Sequence, residues 1–253
     1  MGLIKMKINS NFYKVTQVKR NLWAIEDIIS SEHTVCYLIC GTDKALLFDT
    51  GLGVSPVSPI VKVITDLPVQ VILSHWHFDH CGAANEFDDI IGWSSREMIN
   101  ISRKGANKDS IDKLVGADFF KSINREALEV KAFPQIRLID SEEVIDIGGY
   151  IFMIIHTPGH TKDSICLYEA TRKWLLTGDT VYPGPLYLHF NDSSIKNYSS
   201  SIKKLLNYDV HDIFPGHNQV IVGADILGAI KIMTVNHVYE SATYPSLKIV
   251  NQN

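Results

Sequence analysis

The chain has 253 residues, 45% of them hydrophobic, with a formal net charge of −4. That is enough apolar material for one large domain or two small ones, and with no dense basic run it offers no nucleic-acid surface. No apolar stretch approaches the ~20 residues that span a bilayer, and the opening MGLIKMKINSNFYKV lacks the apolar core of a secretory signal.

Residues 12–18 alternate and are rich in β-formers, and residues 21–25 are similar. Residues 34–40 (TVCYLIC) and 45–48 read as short apolar strands, bounded by the turn-forming Gly41-Thr42-Asp43 and Asp49-Thr50-Gly51. Cys36, Leu38 and Cys40 share one strand face and read as core. The four cysteines, Cys36, Cys40, Cys81 and Cys166, are scattered. They suit a reducing, cytoplasmic setting better than a disulfide framework. Residues 58–66 predict a helix, 69–73 a buried strand, 82–86 the start of a helix and 89–91 a short strand.

Composition then changes. From Ser94 to about Leu128 charged and polar residues dominate, with Met98, Ile101, Ile111, Leu114 and Val115 at helical spacing. This predicts two or three helices, an insertion at about 94–130 within a single domain spanning 1–253. The insertion is a solvated decoration, a wall over a site, or the surface of a homodimer. Strands return at 135–139, 143–147 and 150–156, with Gly148-Gly149 as a hairpin turn. Strands at 163–168 and 173–177 follow. Residues 194–206 predict a helix capped by Asp192 or Ser193, 212–214 a short strand and 224–239 a closing helix. Each half runs through strands into helix, so a duplicated β-sheet unit closing into one sandwich is the simplest architecture.

The chemistry concentrates at VILSHWHFDHCG, residues 71–82. His75, His77, Asp79 and His80 stand at the end of an apolar strand. Buried without partners, four such polar groups would make a poor core, whereas neutral imidazoles and a carboxylate are the donors a borderline divalent metal takes. A catalytic metal site needs further ligands from other segments. Three candidates follow strands and sit in turns beside Gly or Pro: His160 in HTPGHT, Asp179 in TGDT and His217 in FPGH. His33, His156, His189, His211 and His237 lack this setting and read as surface or hydrogen-bonded histidines.

In that order, HWHFDH, TPGH, GDT and PGH resemble the metallo-β-lactamase-fold hydrolases, over nearly the whole chain from LLFDTG onward. The resemblance implies an α/β fold: a four-layer αβ/βα sandwich of two mixed β-sheets with outer helices. It also implies a binuclear ligand set similar to that of glyoxalase II. His75, His77 and His160 would bind one metal, Asp79, His80 and His217 a second, and Asp179 would bridge them. Zinc is the default, and iron and manganese accept the same donors. Asp49 matches the family's DTG aspartate, which lies behind the ligands and orients them.

The stretches GLGVS, HFDHCGA and TPGHTKDSICLYEATRKWLLTGDTVY look most like the acyl-CoA thioesterase-like branch. That implies a small-molecule thioester, cleaved by a metal-bridging hydroxide with Asp79 and Asp179 as the catalytic carboxylates. The glutathione-binding pattern of glyoxalase II after GDT is not recognisable. The loop at 181–190 stands there instead, and Tyr182, Tyr187, His189 and Phe190 are its candidate substrate residues. The rival readings are a lactonase or β-lactamase, a phosphodiesterase, which the acidic net charge fits poorly, and a metal-binding protein without turnover.

Overall fold

The computed structural model describes residues 11–30, 33–115 and 127–229. The first half contains β1 (Tyr13–Lys19), β2 (Leu22–Asp27), β3 (Val35–Cys40), β4 (Ala45–Phe48), α1 (Ser58–Ile64), β5 (Val69–Ile72), α2 (Phe78–Cys81) and β6 (Asp89–Trp93). The region read as an insertion holds α3 (Arg96–Lys104), β7 (Ala106–Asn107), α4 (Lys108–Val115) and β8 (Glu129–Val130). Then come β9 (Arg137–Ile139), β10 (Val144–Asp146), β11 (Ile151–His156), β12 (Ile165–Glu169), β13 (Trp174–Gly178), α5 (Ile195–Leu205), β14 (Asp212–Pro215) and β15 (Ile221–Val222).

The central strands show why these residues make a layered sandwich. β3 is buried along its whole length. Val35, Tyr37 and Ile39 face the core between the sheets, while Cys36, Leu38 and Cys40 face the outer core with α1 and α3. A strand covered on both faces tolerates no polar alternation, so it reads as an unbroken apolar run. Among the described residues, one sheet runs β1-β2-β3-β4-β5-β6-β9 and the other β10-β11-β12-β13-β14-β15. Both are mixed: β4, β5, β6 and β9 pair in parallel in the first, β13 and β14 in the second, and the remaining pairs are antiparallel. A third core lies outside the second sheet, where Leu205 of α5 packs on Ile155, Cys166, Leu175 and Ile213. The two mixed sheets, each with helices on its outer face, are the architecture expected.

The sheets are joined by aromatic packing and by buried hydrogen bonds, among them Val35 N to the Gly216 carbonyl at 2.8 Å and Ile165 N to the Ser74 carbonyl at 2.9 Å. Phe214 meets Tyr37 edge-on at 5.6 Å and Trp174 at 5.6 Å, and Tyr37 Oη donates to the Pro215 carbonyl at 2.9 Å. Such aromatic pairs add ~1 kcal/mol each beyond their burial.

Three local expectations change. The single turn α2 occupies residues expected to be loop, because Asp79, His80 and Cys81 are buried and their backbone must be satisfied internally. The helix expected from Gly82 is only a 3₁₀ turn, Ala84–Glu86. The cap of α5 is Ser194, whose Oγ accepts from Asn197 N at 3.2 Å, and not Asp192 or Ser193. Asp192 is engaged elsewhere, as described below. Of the closing helix expected at 224–239, residues 226–229 are helical; the rest of it and His237 lie outside the described residues from 230 onward, as does the middle of the expected insertion, 116–126.

The topology places the chemistry. Parallel strands end on the same side of a sheet, and ligands collect beyond their carboxyl ends. β4 leads into Asp49 and β5 into Ser74 and His75; in the other sheet β13 leads into Asp179 and β14 into His217. All these side chains therefore meet at one end of the sandwich.

Candidate metal centre

Seven side chains predicted from four segments converge. The ligand atoms of His75, His77 and His160 lie within 4.8 Å of one another, as do those of Asp79, His80 and His217, and those of His75, His80 and Asp179. All are buried. Asp179 lies between the clusters. Its Oδ2 is 3.4 Å from His160 Nε2, and its Oδ1 is 3.2 Å from both His80 Nε2 and His217 Nε2. Asp79 Oδ2 is 3.6 Å from His217 Nε2 and 3.7 Å from His80 Nε2.

Which ring nitrogens face inward follows from proton counting. A carbonyl or carboxylate only accepts, and a serine hydroxyl has one proton to give. Asp49 Oδ1 accepts from Ser74 N at 2.6 Å, and its Oδ2 accepts from Ser74 Oγ at 2.8 Å and from His80 Nδ1 at 2.9 Å. Ser74 has thus spent its proton on Asp49, so the 2.9 Å contact between Ser74 Oγ and His75 Nδ1 is donated by the imidazole. His160 Nδ1 donates to the Tyr187 carbonyl at 2.8 Å. In their neutral forms His75, His80 and His160 all present an unprotonated Nε2 inward. One carboxylate, acting directly and through one hydroxyl, sets two of the three tautomers.

These atoms fit divalent cations on their own evidence. His75 Nε2 and His77 Nε2 are buried with no hydrogen-bond partner among the described residues. Buried imidazole nitrogens left this way are costly unless something electropositive joins them. The backbone gives way to let the groups approach. A Cβ on Gly216 would lie 2.8 Å from His80 Cε1 and 2.9 Å from Asp179 Oδ1. Gly178, at φ +48°, would put one 2.6 Å from Ser74 Cβ. Only glycine serves at either position.

The two clusters differ electrostatically. Burial, reinforced by neighbouring imidazoles, holds His75 and His77 well below the usual imidazole range. Burial also opposes charge on His80 and His217. There the surrounding carboxylates outweigh it, Asp179 foremost, so His80 is held well above the usual range and His217 is pushed up to about 9. In turn His217, His80 and His160 overcome burial and keep Asp179 well below the usual carboxylate range.

A consequence is measurable. Without metal, the raised imidazole of His217 stabilises the fold fully below about pH 6.5, a contribution lost as pH rises through about 9. Metal requires the same nitrogens unprotonated. Loading of the Asp79, His80 and His217 cluster should therefore release protons at pH 7, and its affinity should climb up to about pH 9. The His75, His77 and His160 cluster, already neutral, should load with little pH dependence above 7. Calorimetric titration in buffers of different ionisation enthalpy counts the protons. Equal, near-zero release at both steps would contradict this assignment.

The loop residues distribute unevenly. Phe190 packs against His77 at 4.6 Å and His160 at 5.6 Å, and the His189 ring lies tilted against Phe190 at 4.4 Å. Tyr187 engages His160 through its carbonyl. Tyr182 is buried, donates its hydroxyl to the Pro185 carbonyl and sets its ring against His217 at 5.4 Å. It braces the His217 side of the loop from within.

Three contributors went unnoticed in the sequence. Ser74 is one. Thr34 is another, its Oγ1 donating to Asp79 Oδ2 at 3.4 Å. The third is the 2.9 Å bond from Trp76 Nε1 to Asp192 Oδ2, which ties the His75–His77 turn to the segment after Phe190. Trp76, standing between two histidines, was the one visible signal, since a buried indole N–H seeks an acceptor.

Comparison with known proteins gives the same frame. The family model for the metallo-beta-lactamase superfamily matches residues 31–217. The acyl-coenzyme A thioesterase MBLAC2 of Homo sapiens is 25% identical over 202 residues, covering 72% of this chain and 71% of that protein. A probable metallo-hydrolase, YqgX of Bacillus subtilis (strain 168), is 27% identical over 148 residues, covering 58% of this chain and 66% of that protein. Among solved structures, a metallo-beta-lactamase from Pontibacter korlensis has a TM-score of 0.64 at 16% identity, covering 88% of this chain and 99% of that chain. At that identity the likeness is one of fold. With a family model spanning most of the chain, hydrolases among its relatives and clusters of buried His and Asp able to hold metal, the chain belongs to the metallo-beta-lactamase superfamily.

Proposed function

We propose that this chain is a binuclear metal-dependent hydrolase that cleaves thioesters of the acyl-CoA or acyl-thiol type. The observation that carries the binuclear reading is Asp179, one carboxylate whose two oxygens face two different histidine clusters at 3.2–3.4 Å. His75, His77 and His160 would hold one cation, Asp79, His80 and His217 the other, and Asp179 both. Zinc is the first choice for such nitrogen and carboxylate donors. When bound, two divalent cations supply Lewis acidity and lower the pKa of a shared water toward neutrality. The chain's own part is to aim the donors. Asp49, Ser74 and the Tyr187 carbonyl hold the ring tautomers, and Thr34 holds Asp79, the carboxylate placed to take a proton. Phe190 and Trp76 screen the His77 side from water.

The thioester rests on the similarity to the human thioesterase and on leaving-group chemistry. A thiolate departs without a strong proton donor, whereas an amine or alkoxide needs one. Four free, buried cysteines suit the reducing cytoplasm as the working compartment. The test couples metal quantitation to a substrate panel of thioesters, lactones and β-lactams on the reconstituted protein. About two equivalents of metal and the highest kcat/KM on thioesters are expected. Fewer than one equivalent under every loading condition rejects the metal centre; faster turnover of a lactone or lactam rejects the thioester.

A further inference from the structure

One buried acid has no part in the histidine centre. Asp163 follows His160 in the loop between β11 and β12 and is fully buried. A carboxylate in that position ordinarily accepts several hydrogen bonds. No hydrogen bond of ordinary geometry reaches either Asp163 Oδ1 or Oδ2. The Thr161 hydroxyl beside it is engaged with Ser164 Oγ at 2.8 Å.

The groups that face Asp163 make its position harder to sustain. Glu97, in the first turn of α3, and Asp192, after Phe190, both act on it as like charges. Glu97 Oε2 is itself buried without a partner. Asp192 is buried and spends its Oδ2 on Trp76 Nε1 at 2.9 Å. The Cys81 thiol of α2, pushed well above its usual range by burial, brings no charge. Burial, with Asp192 and Glu97, pushes the Asp163 carboxyl up to about 7 against the pull of the Thr161 hydroxyl and its own N–H. Among the described residues none of the three acids forms an ion pair, and three of their oxygens are buried with nothing to bind. Such a group of charges is sustained only by something positive placed among them.

The donor chemistry says what that is. Carboxylate oxygens without imidazole or thiolate are the ligands of a hard cation, and zinc prefers the histidines nearby. A carboxylate with both oxygens free can grip calcium through both, while carbonyls and water fill the rest of its six to eight positions. We propose that Asp163 and Glu97 are ligands of a divalent cation of the calcium class, with Asp192 supplying charge beside them, at a site separate from the histidine centre. The cation would join three segments: the loop that carries His160, α3 of the inserted region and, through Asp192 and Trp76, the turn from His75 to His77.

The test uses the full chain as purified with its own metals, in calcium-free buffer at pH 8, where Asp163 is charged. Calcium at about 100 times its dissociation constant should raise Tm by about 5 °C or more. Terbium(III), which takes the same oxygen ligands, should luminesce on tryptophan excitation, with Trp76 as the antenna. Asp163→Asn keeps the volume and removes the charge. Without calcium it should unfold no lower than the unsubstituted protein, and its response to both ions should vanish. Glu97→Gln should move the calcium midpoint to higher concentration. Absence of a calcium shift in the unsubstituted protein overturns the proposal, as does a full shift retained in Asp163→Asn. Should Asp163→Asn fail to fold, an unchanged calcium midpoint in Glu97→Gln overturns it instead. If acidification to pH 5.5 raises Tm while calcium does nothing at pH 8, a proton satisfies Asp163 and the cation site is rejected.

Discussion

Asp179→Ala is expected to bring bound metal down from about two equivalents to one or fewer and to lower kcat/KM by about 10³-fold or more, ~4 kcal/mol of transition-state stabilisation. The size follows from position. Asp179 Oδ1 and Oδ2 are the only carboxylate oxygens that approach both clusters among the described residues, and three imidazoles hold that carboxyl in its charged form. On the proposed reading, removing it would delete a ligand from each cluster. It also deletes the foremost charge holding His80 and His217 protonated, so the variant's residual loading should be less pH-dependent. Asp179→Asn keeps the volume and one oxygen and should retain a single metal more readily than Ala does. Full activity with both metals retained in Asp179→Ala would remove the bridging role altogether.

Asp49→Asn should weaken both clusters at once although Asp49 is not itself a candidate ligand. An asparagine turns one acceptor into a donor. That amide would then confront the Ser74 hydroxyl and His80 Nδ1–H, which now both donate to Asp49 Oδ2. Relief comes by flipping the His80 tautomer, which points a proton inward, or by turning Ser74 away from His75. Partners of this kind typically contribute 10–100-fold in metal affinity, and that loss is expected in each cluster. Ser74→Ala separates the two routes: it frees His75 while His80 keeps its direct bond to Asp49, so the cluster of His75, His77 and His160 should suffer more. Stepwise metal titration reads both variants. Wild-type affinity at both steps in Asp49→Asn would show that the tautomer lock carries no weight.

Much of the frame was legible in one dimension because it rests on local periodicity. The run at 45–48 is β4 to the residue, and the glycines expected to turn the 143–156 hairpin do so at positive φ, +80° and +78°. The cluster at the end of β5 was visible for the same reason: three histidines and an aspartate directly after a buried strand have few structural uses. Element ends were less legible. The cap of α5 was expected at Asp192 or Ser193 and is Ser194, with Asp192 bonded instead to Trp76.

By itself the sequence determined the layered α/β sandwich, the donor types and the order in which they are delivered, since strand burial and residue chemistry are properties of short stretches. Only the tertiary structure decided which donors face which. Ser74 is an ordinary serine until Asp49, 25 residues away, takes its proton, and Trp76 meets Asp192 across 116 residues. Hydrogen-bond direction and cavity shape are set by groups brought together from far along the chain, and no local pattern encodes them.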